Sequence, residues 1–220
     1  MSRALLVLLV FLIGILGVIV YTGLSRDREV QRLIAEGDSA VLERQMLLAV
    51  EAYSGAIALD MNSMVAFLKR GEIYQRHGDL TAAMRDLLIA TDLDPGATRP
   101  HERLGDVAYE LRRYEESVTH YSHYLELDDR NPRVLYKLAL VSERAGRVAH
   151  SIPFLRQAIA LDSGFEEAHY LLGLCLMEQE RIEEARDALS IAVELSPGFL
   201  EAREALVRVN SSLADSRNEN

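Results

Sequence analysis

Residues 64–97 read MVAFLKRGEIYQRHGDLTAAMRDLLIATDLDPGA, and the same pattern of small and large side chains returns every 34 residues on both sides. Gly71 stands in one column with Gly37, Gly105, Ala139 and Gly173. Ala83 is in register with Ala49, Ser117, Ser151 and Ala185, and Ala90 with Ala56, Tyr124, Ala158 and Ala192. Large residues fill three further columns: Leu87 with Tyr53, Tyr121, Leu155 and Leu189; Leu80 with Met46, Tyr114, Val148 and Ile182; Leu93 with Leu59, Leu127, Leu161 and Leu195. The phase is unbroken from residue 30 to residue 199, five whole units. Within a unit the apolar positions recur at helical spacing. His77-Gly78-Asp79 interrupts the unit at its middle and Asp94-Pro95-Gly96 near its end, as turn residues do. Each unit is predicted to be helix, short turn, helix. Helices approach closely at the small columns, and the large columns fill the space beside them.

This pattern resembles the tetratricopeptide repeat. Gly71, Tyr74, Ala83, Leu87, Ala90 and Pro95 fall on the family's motif spacing, with Phe67 at its first large apolar position. Residues 166–199 match through Leu172, Gly173, Ala185, Leu189, Ala192 and Pro197. The resemblance implies an all-α fold, an α-α superhelix of five units at 30–63, 64–97, 98–131, 132–165 and 166–199. Residues 200–214 continue as an amphipathic helix that would cap the last apolar face, as repeat stacks require. The tail 215–220 has no apolar residue and is predicted disordered. Four positions depart from the pattern: Arg70 and Glu36 occupy an apolar column, and His101 and His169 the first large apolar one. Pro153, with Ser151 as N-cap, predicts a second helix that starts late.

Residues 4–24 (ALLVLLVFLIGILGVIVYTGL) form an uncharged apolar run. Its length, about 30 Å as a helix, matches a bilayer core and exceeds the apolar stretch of a cleaved signal. The expectation is an N-terminal transmembrane anchor at 1–24, a short linker at 25–29, and bilayer contact through residues 4–24. Arg26, Arg28 and Arg32 outnumber Arg3 across the run. That count predicts cytoplasmic repeats, with a periplasmic domain as the alternative, and the strong use of Arg over Lys together with the plain anchor suggests a single-pass bacterial inner-membrane protein.

The composition excludes several functions. Thirty-four acidic against 24 basic residues, a net charge of −10, argues against nucleic acid, whose phosphates need a cationic surface. One cysteine, Cys175, excludes an intramolecular disulfide framework, a CxxC pair and a thiolate zinc cage. It shares a column with Ile73, Val107 and Val141 and is predicted to be a small buried hydrophobe. His120, His123 and Glu116 share one helix face, where a solvated surface outweighs a metal site because no fourth ligand is evident. No phosphate-binding loop, HExxH or GxSxG occurs. Neither an enzyme, a cofactor nor a metal is expected.

The resemblance implies that the first helices line a concave groove through positions 2, 5, 9, 12 and 13 of each unit. Carried onto this sequence, the candidate protein-binding residues are Leu68, Glu72 and Arg76; Arg99, Glu102, Asp106 and Tyr109; Arg133, Tyr136, Leu140 and Arg144; and Tyr170, Leu174 and Met177. The tyrosines, leucines and methionine would form an apolar floor, although Leu174 and Met177 fit a packed core equally well. Glu102, Asp106 and Glu110 form an acidic row that reads as a solvated face. The function expected is a membrane-tethered scaffold holding an extended or helical segment of a protein partner. The alternatives are a structural, self-associating repeat protein and an accessory subunit of a membrane enzyme complex.

Overall fold

The computed structural model describes the backbone of residues 3–218 and the side chains of residues 11–214. Among these the chain forms eleven helices and no strand: α1 (Arg3–Leu42), α2 (Met46–Leu59), α3 (Met64–Arg76), α4 (Leu80–Leu93), α5 (Thr98–Glu110), α6 (Tyr114–Leu127), α7 (Pro132–Arg144), α8 (Val148–Leu161), α9 (Glu166–Glu178), α10 (Ile182–Leu195) and α11 (Leu200–Asn218). They divide into two compact units, Met1–Pro95 and Gly96–Asn220.

Local chemistry sets the helix ends. Ser63, Asp79 and Asn131 accept backbone N–H groups in the first turns of α3, α4 and α7, the ordinary N-cap role. The turn inside each hairpin places residues 44, 78, 112, 146 and 180 at φ between +58° and +82°. Two of these are glycine, and Arg44, Arg112 and Glu180 hold the same left-handed conformation against Cβ sterics. Each such turn is closed by one backbone bond, for example Arg113 N to Ala108 O at 2.8 Å and Arg181 N to Leu176 O at 2.9 Å. Between hairpins, Asp60, Asp128 and Asp162 accept the amide two residues on, which turns the chain after α2, α6 and α8.

In each unit the small columns lie under the large ones. Gly105 on α5 faces Tyr121 on α6, and a Cβ there would stand 2.5 Å from the ring. Gly173 and Leu189 repeat the contact between α9 and α10. Ala49, Ala83, Ser117, Ser151 and Ala185 are fully buried, and the column of Tyr53, Leu87, Tyr121, Leu155 and Leu189 is at most 2% exposed. The column that shows the period most plainly behaves otherwise. Leu59, Leu127, Leu161 and Leu195 are each about two-fifths exposed, and each ends its helix. They mark helix ends rather than core.

Of the four polar departures, Arg70, His169 and Glu36 are paired. Arg70 donates to Asp86, whose side chain is wholly buried, at 2.6 Å and 3.1 Å, and to Ser54 at 2.9 Å. Its guanidinium also lies over the rings of Phe67 and Tyr74. His169 is buried with its Nε2 3.2 Å from the Ser163 carbonyl. Glu36 pairs with Arg32 on the surface of α1.

Four expectations are corrected. The helix containing Pro153 does not start late: α8 begins at Val148, and Ser151 lies inside it, donating to the Val148 carbonyl at 2.6 Å. α11 continues through Asn218, four residues past the end expected at 214, and residues 219–220 lie outside the described ones. The linker expected at 25–29 is helical, because α1 is continuous from Arg3 to Leu42. Of the expected anchor, the side chains of residues 4–10 lie outside the described ones. Among the described residues no helix is long and apolar enough to cross a membrane. The part of the run whose side chains are described is residues 11–24. It runs without a break into Arg26, Asp27, Arg28 and Glu29. The assignment as a single-pass inner-membrane protein, with either orientation of the repeats, is overturned.

Two stability measurements check this packing. Gly105→Ala is expected to lower unfolding free energy in urea by about 1–3 kcal/mol through overpacking, although alanine is the better helix former by about 1 kcal/mol. Arg112→Gly is expected to raise it by up to about 1 kcal/mol, because glycine relieves the left-handed turn. Separately, Asp86→Ala leaves Arg70 as an unpaired charge beside the core and is expected to cost about 3–5 kcal/mol. Asp86→Leu combined with Arg70→Met should recover most of that loss.

Candidate functional site

The candidate residues of the Gly96–Asn220 unit lie on its first helices α5, α7 and α9, each packed against its own second helix. Tyr136 on α7 and Tyr170 on α9 are half-buried. Their rings stack on Phe165 and Phe199, with centroids 5.0 Å and 4.8 Å apart. The two phenylalanines stand 34 residues apart, one just before α9 and the other just before α11. Sequence reasoning missed them, although their shared register was a usable signal.

Leu140, Leu174 and Met177 are half-buried and packed, like the two tyrosines, against the core formed by α7 to α11. The choice between groove and core therefore does not divide them. Each rests one edge on the core and presents another to solvent. Burial pushes the Tyr136 phenol above its ordinary range; Glu167, Tyr109 and Tyr170 act in the same direction, and Arg144 opposes them. Those five groups share one electrostatic neighbourhood. A concavity of about 540 Å³ opens beside it, lined by Arg133, Tyr136, Lys137, Phe165 and Glu167 among others.

The acidic row is not a plain solvated face. Lys137 Nζ lies 2.7 Å from Glu102 and 2.8 Å from Asp106. Asp106 also accepts from the Tyr121 hydroxyl at 2.6 Å and from Arg103 at 3.1 Å. The Tyr121 phenol is pushed up by its burial and by the Asp106 carboxylate. Asp38, Tyr53 and Lys69 make the same triad in the Met1–Pro95 unit, with both bonds to Asp38 at 2.7 Å. The two lysines are the only ones in the sequence and stand 68 residues apart, twice the period. Lys137 falls at position 6 of its unit, which the family's groove positions omit.

Leu68 and Glu72 belong to the Met1–Pro95 unit and are 6% and 8% exposed, so they offer little surface to a partner. Arg76, Arg99, Arg133 and Arg144 are exposed. Tyr109 is half-buried against Tyr114, 5.9 Å between ring centroids.

His120 and His123 are joined by His101 from α5, whose ring centroid lies 6.4 Å from the first and 5.6 Å from the second. Among the described residues no group of three or more His, Cys, Asp or Glu side chains is placed to hold a metal ion. Cys175 is 1% exposed, 3.3 Å from Ser151 Oγ, and burial pushes its thiol up.

A family model described as "Anaphase-promoting complex, cyclosome, subunit 3" matches residues 110–191. The Small glutamine-rich tetratricopeptide repeat-containing protein 2 of Mycosarcoma maydis is 32% identical over 114 residues, 52% of this chain and 32% of that protein. The chain thus spans about a third of that relative's length. Among solved structures, MamA superposes with a TM-score of 0.73 at 21% identity, covering 78% of this chain and 93% of MamA. YrrB, described as a TPR protein with an unusual peptide-binding site, superposes with a TM-score of 0.74 at 17% identity, covering 84% and 96%. The structural likenesses show the fold, and with the family model they support the tetratricopeptide repeat that the 34-residue period resembles.

The histidines give this region a pH dependence. Burial lowers the pKa of His120, His101 and His123 lower it further, and Glu116 opposes them. Below about pH 6.5 the unfolded chain therefore takes up a proton that the folded His120 resists, and stability falls as pH drops. His120→Gln is expected to flatten the loss of unfolding free energy between about pH 7 and pH 5. An unchanged slope would place the dependence on other groups.

Proposed function

We propose that this chain is a structural repeat protein that acts by holding protein segments, and that the face built on Tyr109, Tyr136 and Tyr170 is its contact surface. The carrying observation is the pair of tyrosines stacked on Phe165 and Phe199, each with one edge on the core and one in solvent. Aromatic rings held rigid in this way bury a large area at small entropic cost, which is what an interface anchor requires. Around them Arg133, Arg144 and Glu167 supply charged rim groups that would fix the register of a bound segment. The likeness to YrrB, whose description names a peptide-binding site, supports the same use of the fold.

The tethered-scaffold reading loses its tether, since no described helix is long and apolar enough to cross a membrane. A self-associating structural role needs no bilayer and has the better support. In it the segment held on the tyrosine face belongs to a companion protein and enters extended or as a helix, while the copies meet one another through other surfaces.

Tyr136→Ala with Tyr170→Ala is expected to weaken capture of the segment by about 2–4 kcal/mol, read as loss of photocrosslinks placed at Tyr109. Cooperative unfolding should persist, with a stability loss of about 1–3 kcal/mol from the two lost stacking pairs. Leu155→Ala with Leu189→Ala instead removes two fully buried side chains and should cost about 4–10 kcal/mol. Unchanged crosslinks in the tyrosine variant would move the contact surface elsewhere.

A further inference from the structure

α1, α2 and their turn enclose a groove of about 700 Å³ that no other described element lines. Leu33, Ala40, Leu48, Ala52 and Gly55 contribute apolar surface, and Glu36, Glu43 and Glu51 the acidic rim. Its register identifies what shape it accepts. Residues 32, 36, 39 and 52 stand 102 positions before Val134, Leu138, Val141 and Phe154, three repeat lengths away. In the Gly96–Asn220 unit those four residues are packed with Tyr121 and Tyr124 of α6. The groove on α1 and α2 is thus the seat that the second helix of a preceding repeat would take. Its chemistry differs, because Arg32, Glu36 and Ser39 replace Val, Leu and Val. The seat fits a helix that brings charge as well as apolar side chains.

α11 has that composition. Ala202, Ala205, Val209 and Leu213 bury one face of it. On another face Leu200 and Val207 are 62% and 65% exposed, with Arg203, Glu204 and Arg208 beside them. Val207 stands 34 residues after Gly173, in the column where glycine admits a hairpin partner. A Cβ at Gly173 would lie 2.5 Å from Leu189, so valine there bars the usual close partner and leaves a looser helix crossing. Arg203 and Arg208 outnumber Glu204 on this face, and Glu36, Glu43 and Glu51 outnumber Arg32 in the groove, so the two surfaces are complementary in net charge.

We infer that α11 of one copy docks in the α1–α2 groove of a second copy. The contact joins two different surfaces, so it is heterologous, and repeating it builds a ring or an open filament. The inference rests on the structural-repeat reading but on residues distinct from the tyrosine face, so the Tyr136/Tyr170 variant should self-associate as the unaltered chain does.

The experiment is light scattering on the full chain and two blocked variants. Leu200→Asp with Val207→Asp blocks the helix; Leu48→Asp, 52% exposed in the groove, blocks the seat. All three positions are exposed, and circular dichroism should show full helicity in both variants. The unaltered chain is expected to associate with rising concentration, and each blocked variant to do so at least about tenfold more weakly. Mixed together, the two variants retain one intact helix and one intact seat between them. They should form a 1:1 complex of about twice the 24.7 kDa chain and grow no further. A chain monomeric at every concentration, variants that associate undiminished through the exposed residues 11–24 or another surface, or a mixture that stays monomeric would each overturn the inference.

Discussion

The approach of the two helices in each hairpin is the constraint on which the remaining structure depends. Gly105 allows α5 to press its backbone against the Tyr121 ring, and Gly173 does the same for α9 against Leu189. Fixing that separation fixes the depth of the large column and the angle at which the next hairpin can pack. Because stacked repeats are held mainly by contacts to neighbours, one locally specified separation propagates along the stack. The left-handed turn recurs at residues 44, 78, 112, 146 and 180, once in each hairpin. Three non-glycine residues hold it there, which shows that packing outweighs the local cost.

Charge inside this packing is paired at three described aspartates. Asp86 is wholly buried and meets Arg70 through two hydrogen bonds. Asp38 and Asp106 each meet a tyrosine hydroxyl and a lysine. Those triads tie the large column of one hairpin to the first helix of the next, since Tyr53 and Lys69, like Tyr121 and Lys137, belong to consecutive hairpins. Breaking the Arg70–Asp86 pair would strand a charge where water reaches poorly. The pairs thereby select a register as well as adding modest stability.

The candidate contact face is a consequence of the same stacking. Tyr136 and Tyr170 stand where each first helix meets the turn before the next, and Phe165 and Phe199 come from those turns. A face assembled from side chains of successive repeats lengthens with the number of repeats. It suits an elongated segment better than a small molecule.

The sequence by itself determined the period, the helix–turn–helix unit and the small and large columns, because those depend on spacing that recurs whatever the neighbours are. It also determined that Cys175 is a small buried residue, since the column it occupies holds Ile73, Val107 and Val141 in the three units before it. Tertiary structure alone decided the rest. Whether Arg70 was a defect depended on Asp86, 16 residues away on the facing helix. Whether Glu102 and Asp106 were solvated depended on Lys137, one repeat on. Pro153 is held inside α8 rather than at its start, and the Leu59 column lies at helix ends, half in solvent. Composition read residues 4–24 as a bilayer span, whereas the continuous α1 carries its described apolar stretch straight into charged residues. Spacing along a chain reports which face of a helix a residue shares; only the packed neighbours report what that face meets.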